Sequence, residues 1–244
     1  GVMLKVAVYG FIRMVFDLIG QFHWQWGVAV LAIGSVSALM GILYAMMQHD
    51  LKRLLAYSSV ENIGVIFMGL GMALLFLAED RALLGAIALV AALYHTLNHA
   101  VFKALLFFGA GAITHSANER DLDKMGGLLR RMPWTGFFFL IGCISISGLP
   151  TFNGFVSEWL TFQAALQAWR LDSGVLRSTV PIAAAILALT CALAAACFVK
   201  VYAVAFLGQA RSRHVRRARQ VPRSMRAGQA ILALLCFYWA CFRR

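Results

Sequence analysis

Tyr94-His95-Thr96-Leu97-Asn98-His99-Ala100-Val101-Phe102-Lys103-Ala104-Leu105-Leu106-Phe107-Phe108 sets two histidines and a lysine at steps of four inside an apolar segment. At about 100° and about 1.5 Å per residue, each step of four drifts about 40° and climbs about 6 Å, so the three share one helical stripe about 12 Å long. The stretch predicts an apolar helix carrying a ladder of titratable groups along which a proton can pass. Two other readings compete. A histidine on an apolar face often serves as a hydrogen-bonded packing residue, although Lys103 continues the stripe and is costly to bury in that role. His at i and i+4 is also a metal-ligand spacing, with haem as a variant. No Glu follows His95, no third ligand cluster is evident, and the lysine next in line repels a cation.

Working outward, the whole chain is apolar: 61% hydrophobic, 13% charged, mean hydropathy +0.78. Soluble domains carry about 25% charge, so the composition specifies an integral membrane protein. Its apolar runs reach the roughly 20 residues that cross a bilayer as helix and are too continuous for barrel strands. The fold class is therefore all-α, a polytopic transmembrane helix bundle. Formal net charge is +12, and the basic residues gather in links between spans, a membrane-topology signal rather than a nucleic-acid one. Cys143, Cys191, Cys197, Cys236 and Cys241 lie within apolar runs without a CxxC pair, which favours packing roles over a disulfide or cluster framework. The chain opens within an apolar run, Gly1-Val2-Met3-Leu4-Lys5, and is expected to be a fragment lacking upstream helices.

About seven spans are expected: 1–19, 26–47, 54–77, 81–114, 134–169, 180–207 and 228–242. The second is dotted with Gly34, Ser35, Ser37 and Gly41, a composition that lets membrane helices approach closely. The fourth is longer than a straight crossing needs, and a bend or break near the histidines is expected. The fifth is interrupted by Ser145-Ile146-Ser147-Gly148-Leu149-Pro150-Thr151-Phe152-Asn153-Gly154. Ser147, Gly148, Pro150 and Gly154 there mark a discontinuous helix, the feature that exposes half-helix ends at transporter ion sites. Lys52, Arg53, Arg120, Lys124, Arg130, Arg131 and the arginines from Arg211 to Arg226 fall on one side. Arg81, Arg170, Arg177, Arg243 and Arg244 fall on the other, so the first side is assigned to the cytosol. The 208–227 link is expected to be a basic cytosolic loop facing solvent or anionic lipid.

Lys5, Glu61, His95, His99, Lys103, Glu158 and Lys200 lie within these spans. A charged group at a helix centre costs about 2.5–3.5 kcal/mol on insertion scales, so such a set implies inward-facing, paired and hydrated side chains. Burial favours a neutral lysine and a nearby carboxylate favours a charged one, which lets partner charges switch it. Histidine passes protons near neutral pH. Lys5 and Lys200 have a simpler alternative in snorkelling to the headgroups.

Three runs carry a resemblance: His49-Asp50-Leu51-Lys52-Arg53-Leu54-Leu55-Ala56-Tyr57-Ser58-Ser59-Val60-Glu61-Asn62-Ile63-Gly64, His95 through Phe108, and Gly148-Leu149-Pro150 through Glu158. The chain resembles the antiporter-like proton-channel subunits of respiratory complex I and the Mrp cation/proton antiporters. It is most similar to the large membrane subunit of group 4 hydrogenase and formate hydrogenlyase complexes, with Glu61 where complex I subunits usually carry His. The resemblance implies a fold of about fourteen helices with two inverted repeats. Residues 1–244 would form a single transmembrane fragment: 1–19 the linking helix, 26–207 the second half-channel repeat, and 228–244 a trailing helix. It also implies that Lys5 links the half-channels, that His95, His99 and Lys103 form the central relay, and that Glu158 is the exit group.

The expected function is proton translocation as a non-catalytic membrane subunit of a redox-driven complex of the hydrogenase-4, formate hydrogenlyase or NADH-quinone oxidoreductase type. An Mrp-type antiporter subunit is the alternative, and a haem- or metal-binding cytochrome the remote one. No cofactor or metal is expected on this chain. Nickel-iron or flavin, iron-sulfur centres and quinone would belong to partner subunits. Partners would be other membrane subunits, a peripheral redox arm and lipid, with no nucleic acid, in a bacterial or archaeal inner membrane.

Overall fold

The computed structural model describes residues 2–241, with the side chains of residues 3–238. Gly1, Arg243, Arg244 and the Cys241 side chain lie outside the described residues. Regular structure within them is helical, apart from one isolated β-bridge between Asp50 and Asp121. The helices are α1 Val2–Ile12, continued by a π-helical stretch Arg13–Ile19, then α2 Trp24–Met46, α3 Leu51–Ala78, α4 Ala82–Ala117, α5 Leu128–Arg131 and α6 Pro133–Ile146. They continue with α7 Asn153–Ala165, α8 Gly174–Phe206, α9 Arg213–Arg217 and α10 Arg223–Cys241. Among them, α2, α3, α4 and α8 are long and apolar enough to cross a membrane, so the chain is a multi-pass membrane protein. The first and fifth expected spans are built from shorter pieces, including the apolar α6, and the seventh falls on the 19-residue α10.

The chain divides into two compact units: Gly1–Gly41 with Val60–Ala100 and Ser157–Thr190, and Ile42–Ser59 with Val101–Val156 and Cys191–Arg244. In the first, α2 and α3 meet backbone to backbone. A Cβ on Gly64 would stand 2.4 Å from the Ala38 nitrogen, and one on Gly41 would stand 2.5 Å from the Glu61 nitrogen. The small residues legible in α2 are thus what bring Glu61 against it. Asp172 ties the two links at one end of this unit, receiving Arg81 at 3.4 Å and donating its N–H to the Glu79 carboxylate at 2.8 Å.

The second unit holds a large apolar core that includes Leu54, Phe102, Phe139, Phe198 and Phe206. It also gathers the three basic links assigned to one side. The Leu51 N–H donates to the Arg120 carbonyl at 3.0 Å, the Leu122 N–H to His49 at 2.8 Å and the Gly127 N–H to Leu207 at 2.8 Å. Links expected to share a side are therefore bonded to one another. Within this cluster the Asp123 N–H donates to the Asp121 carboxylate at 3.0 Å, which holds that carboxyl below its ordinary pKa. A depressed carboxylate stabilises the fold above the ordinary value of about 3.9, and the contribution is lost as pH falls through the folded value. Amide exchange at Leu122 and Lys124, corrected for its intrinsic pH dependence, is expected to be flat near neutrality and to accelerate below about pH 4.

Two expectations change. Helix α4 is unbroken over 36 residues. Its polar groups are absorbed without opening the helix, because Thr96 Oγ1 donates back to the Ala92 carbonyl at 2.8 Å and Asn98 bonds sideways to Ser157. The first span instead carries the irregularity, ending in the π-helical Arg13–Ile19 stretch with an exposed Arg13–Asp17 pair.

Candidate functional site

Helix α4 places His95, His99 and Lys103 at the expected steps, with 1%, 0% and 2% of their surfaces exposed. Burial of this degree requires polar company.

In the first unit that company is a chain of side chains from three helices. Asn62 Nδ2 donates to the Glu61 carboxylate, and Asn62 Oδ1 faces His95 Nε2 at 3.2 Å. An amide oxygen only accepts, so Nε2 carries the proton. On the far side of the ring, Nδ1 faces Ser157 Oγ at 2.9 Å, and Asn98 Nδ2 donates to the same oxygen at 3.1 Å. In the neutral ring Nδ1 is then the acceptor, so the Ser157 hydroxyl proton points at it while its oxygen accepts from Asn98. Protonating His95 at Nδ1 makes the ring the donor and forces the Ser157 hydroxyl to rotate. The serine thus registers the charge state of the histidine.

Glu61, Asn62, Asn98 and Ser157 are buried, and Glu158, the next residue on α7, is buried to 9% exposure. Its chain neighbour Trp159 is 38% exposed. Lys5 is half-buried on α1 and within electrostatic reach of His95.

In the second unit Lys103 sits in a cage of neutral oxygens. Its Nζ donates to the Leu55 carbonyl at 3.0 Å and to Ser58 Oγ at 2.5 Å, and lies 6.0 Å from the centre of the Phe198 ring. Carbonyl, hydroxyl and ring face each stabilise an ammonium.

The helix break falls where Ser147, Gly148, Pro150 and Gly154 predict it. Helix α6 ends at Ile146, Gly148 takes φ 60°, and the Gly148 and Leu149 N–H groups return to the Ser145 and Ile144 carbonyls at 3.4 Å each. This is a Schellman ending, and Pro150 prevents the helix from resuming at once. Helix α7 restarts at Asn153, four residues before Ser157.

Lys200 departs from the burial expected of it. It is exposed, and its Nζ donates to the Met46 carbonyl at 3.1 Å, at the end of α2 where helix carbonyls favour a cation. Among the described residues no group of three His, Cys, Asp or Glu side chains is arranged to hold a metal ion, and both His95 nitrogens already face protein partners.

Ser157 and Ser58 carry no mark in the sequence that separates them from packing serines. Replacing Ser157 by Ala is expected to cost about 1–3 kcal/mol, because it strips a partner from two buried groups. Thermal denaturation in detergent measures the loss, and imidazole ¹⁵N shifts should still report the Nε2–H tautomer that Asn62 Oδ1 dictates; an Nδ1–H ring would refute the assignment.

Comparison with known proteins gives a consistent placement. "Hydrogenase-4 component B" of Escherichia coli (strain K12) is 46% identical over 238 residues, covering 97% of this chain and 35% of the relative. "Formate hydrogenlyase subunit 3" of the same organism is 38% identical over 235 residues, covering 96% of this chain and 38% of the relative. This chain therefore spans little more than a third of the length of these relatives. A chain of the Mrp complex from Dietzia sp. DQ12-45-1b superposes with TM-score 0.78 at 23% identity, covering 97% of this chain and 48% of that one, a likeness of fold. Residues 1–186 match the family described as "NADH:quinone oxidoreductase/Mrp antiporter, TM", and the chain belongs to that family.

Proposed function

We propose that this chain is the proton-translocating part of a membrane subunit in a redox-driven complex of the hydrogenase-4 or formate hydrogenlyase type. The observation that carries the reading is the buried line Glu61–Asn62–His95–Ser157–Asn98, in which a titratable ring is flanked by groups that dictate its proton position. Protons hop among Lys5, Glu61, His95, His99, Lys103 and Glu158. Lys200 is exposed and is left out of this set. The asparagines orient without carrying protons, while Ser157 turns with each protonation of His95.

The chain works as residues of a longer subunit in a bacterial or archaeal inner membrane, beside other membrane subunits and a peripheral redox arm. Nickel-iron or flavin, iron-sulfur centres and quinone reside in those partners. Redox events there shift buried charge here. Moving one charge against 100 mV takes about 2.3 kcal/mol, within reach of pKa changes of one or two units at about 1.4 kcal/mol each.

The shared family keeps a second reading in view, a cation/proton antiporter subunit with the same relay and no redox partner. Inverted vesicles containing the full-length protein in its complex separate the two. Proton uptake driven by electron donor and indifferent to sodium is the expected result. Proton flux that needs sodium and ignores the donor would move the assignment to the antiporter.

A further inference from the structure

Two adjoining cavities in the second unit lie away from the buried relay residues. The first, about 250 Å³, is lined by Phe107, Phe108 and Gly111 of α4 and by Ser224, Met225 and Gly228 of α10. The second, about 270 Å³, is lined by His115 and Ser116 at the end of α4 and by residues of the 217–222 link, Arg217 and Arg219 among them. Phe108, Gly111 and His115 follow at steps of three and four along one face of α4. Pro222 and Ser224 join the cavities along the opposite wall. One is an apolar trough at the end of a membrane-crossing helix, and the other is a basic bowl just beyond it.

From this arrangement we infer a binding site for one anionic phospholipid, its phosphate held by Arg217, Arg219 and His115 and one acyl chain laid in the Phe108–Gly111–Gly228 trough. No acidic side chain lines either cavity, so the basic charge is left for a ligand. The bowl has a fixed shape. The Arg219 N–H donates to Ser116 Oγ at 2.9 Å, the Ser116 hydroxyl returns to the Arg219 carbonyl, and Gln220 Nε2 donates to Thr135 Oγ1 at 2.9 Å. The trough is held by Gln229 Nε2 donating to the Phe108 carbonyl at 3.3 Å. Its depth comes from the missing side chain at Gly111, where a Cβ would meet nothing within 4 Å. The positive end of α10 adds to the attraction for a phosphate. Arginines bowl-side and an acyl trough below match an amphiphile at the interface. Free phosphate would use only half of the site.

The full-length protein, purified in its complex and transferred to mild detergent, can be titrated with phosphatidylglycerol or phosphatidylcholine and read by native mass spectrometry. Wild type is expected to retain phosphatidylglycerol selectively. Gly111→Leu fills the trough and is expected to weaken retention about fivefold or more, from the lost acyl burial. The pair Arg217→Gln and Arg219→Gln is expected to weaken it about tenfold or more, from the lost attraction of two basic groups. Equal retention of phosphatidylcholine, displacement by millimolar inorganic phosphate, or unchanged retention in both variants would each overturn the site. So would photo-crosslinking from position 115 to a partner polypeptide rather than to lipid. Helical circular dichroism of each variant confirms folding, which the open space at Gly111 and the exposed arginines are expected to preserve.

Discussion

Replacing Lys103 by Met in the full-length protein is expected to suppress proton translocation by at least about 100-fold, the lower end of what a positioned proton carrier contributes. Electron transfer in the proposed redox partners should remain measurable. Methionine is the informative choice because it approximates the volume of the lysine stem and removes only the ammonium. Ala would add a cavity beside Phe198 and confuse stability with conduction. The cage explains the size of the effect. Lys103 is held by a carbonyl, a hydroxyl and a ring face, and methionine can reproduce none of the donated bonds. The Ser58 hydroxyl still donates to the Leu55 carbonyl at 3.2 Å, so the cage is not left wholly unsatisfied. Stability is expected to fall by about 1–3 kcal/mol, the range for a lost buried hydrogen-bond partner. The measurement is donor-driven proton uptake in vesicles, normalised to the redox rate. Wild-type stoichiometry in the methionine variant would remove Lys103 from the path.

What the sequence made legible follows from which interactions are local. The ladder at His95, His99 and Lys103 is a matter of helical period, and the break at Ser147 to Gly154 is a matter of Gly and Pro backbone chemistry, so both could be placed by residue. The glycines that seat Glu61 on α2 were legible as composition, though not the pairing of Gly41 with the Glu61 backbone. Ser157 was not legible. Its partner His95 is 62 positions away, and nothing local distinguishes it from Ser145 or Ser147. The continuity of α4 was missed for the same reason. The polar Asn98 sits where a bend or break was expected, whereas a distant hydroxyl takes its hydrogen bond. Lys200 was read by depth in the sequence, but exposure depends on which face of α8 it occupies.

Gly154 to Ala is expected to be the most damaging single methyl in the chain, lowering stability by about 3 kcal/mol or more, in the range reserved for backbone conflict and overpacking. The added Cβ would lie 1.9 Å from the Ser145 carbonyl oxygen. That oxygen belongs to the terminal turn of α6 and already receives the Gly148 N–H, so neither side has a flexible group to yield. Relief requires moving the start of α7, and α7 carries Ser157 and Glu158 within its next turn. The variant should therefore lose both its thermal midpoint and the Ser157 hydrogen bond to His95. Gly111 to Ala supplies the opposite sign. Its Cβ meets open space within an unbroken helix, and exchanging Gly for Ala there is expected to stabilise by up to about 1 kcal/mol. The same chemical change thus raises one melting temperature and collapses another. If both variants melted alike, α7 would have room at its first turn that the Ser145 contact denies, and the helix break would not be what fixes Ser157 against His95.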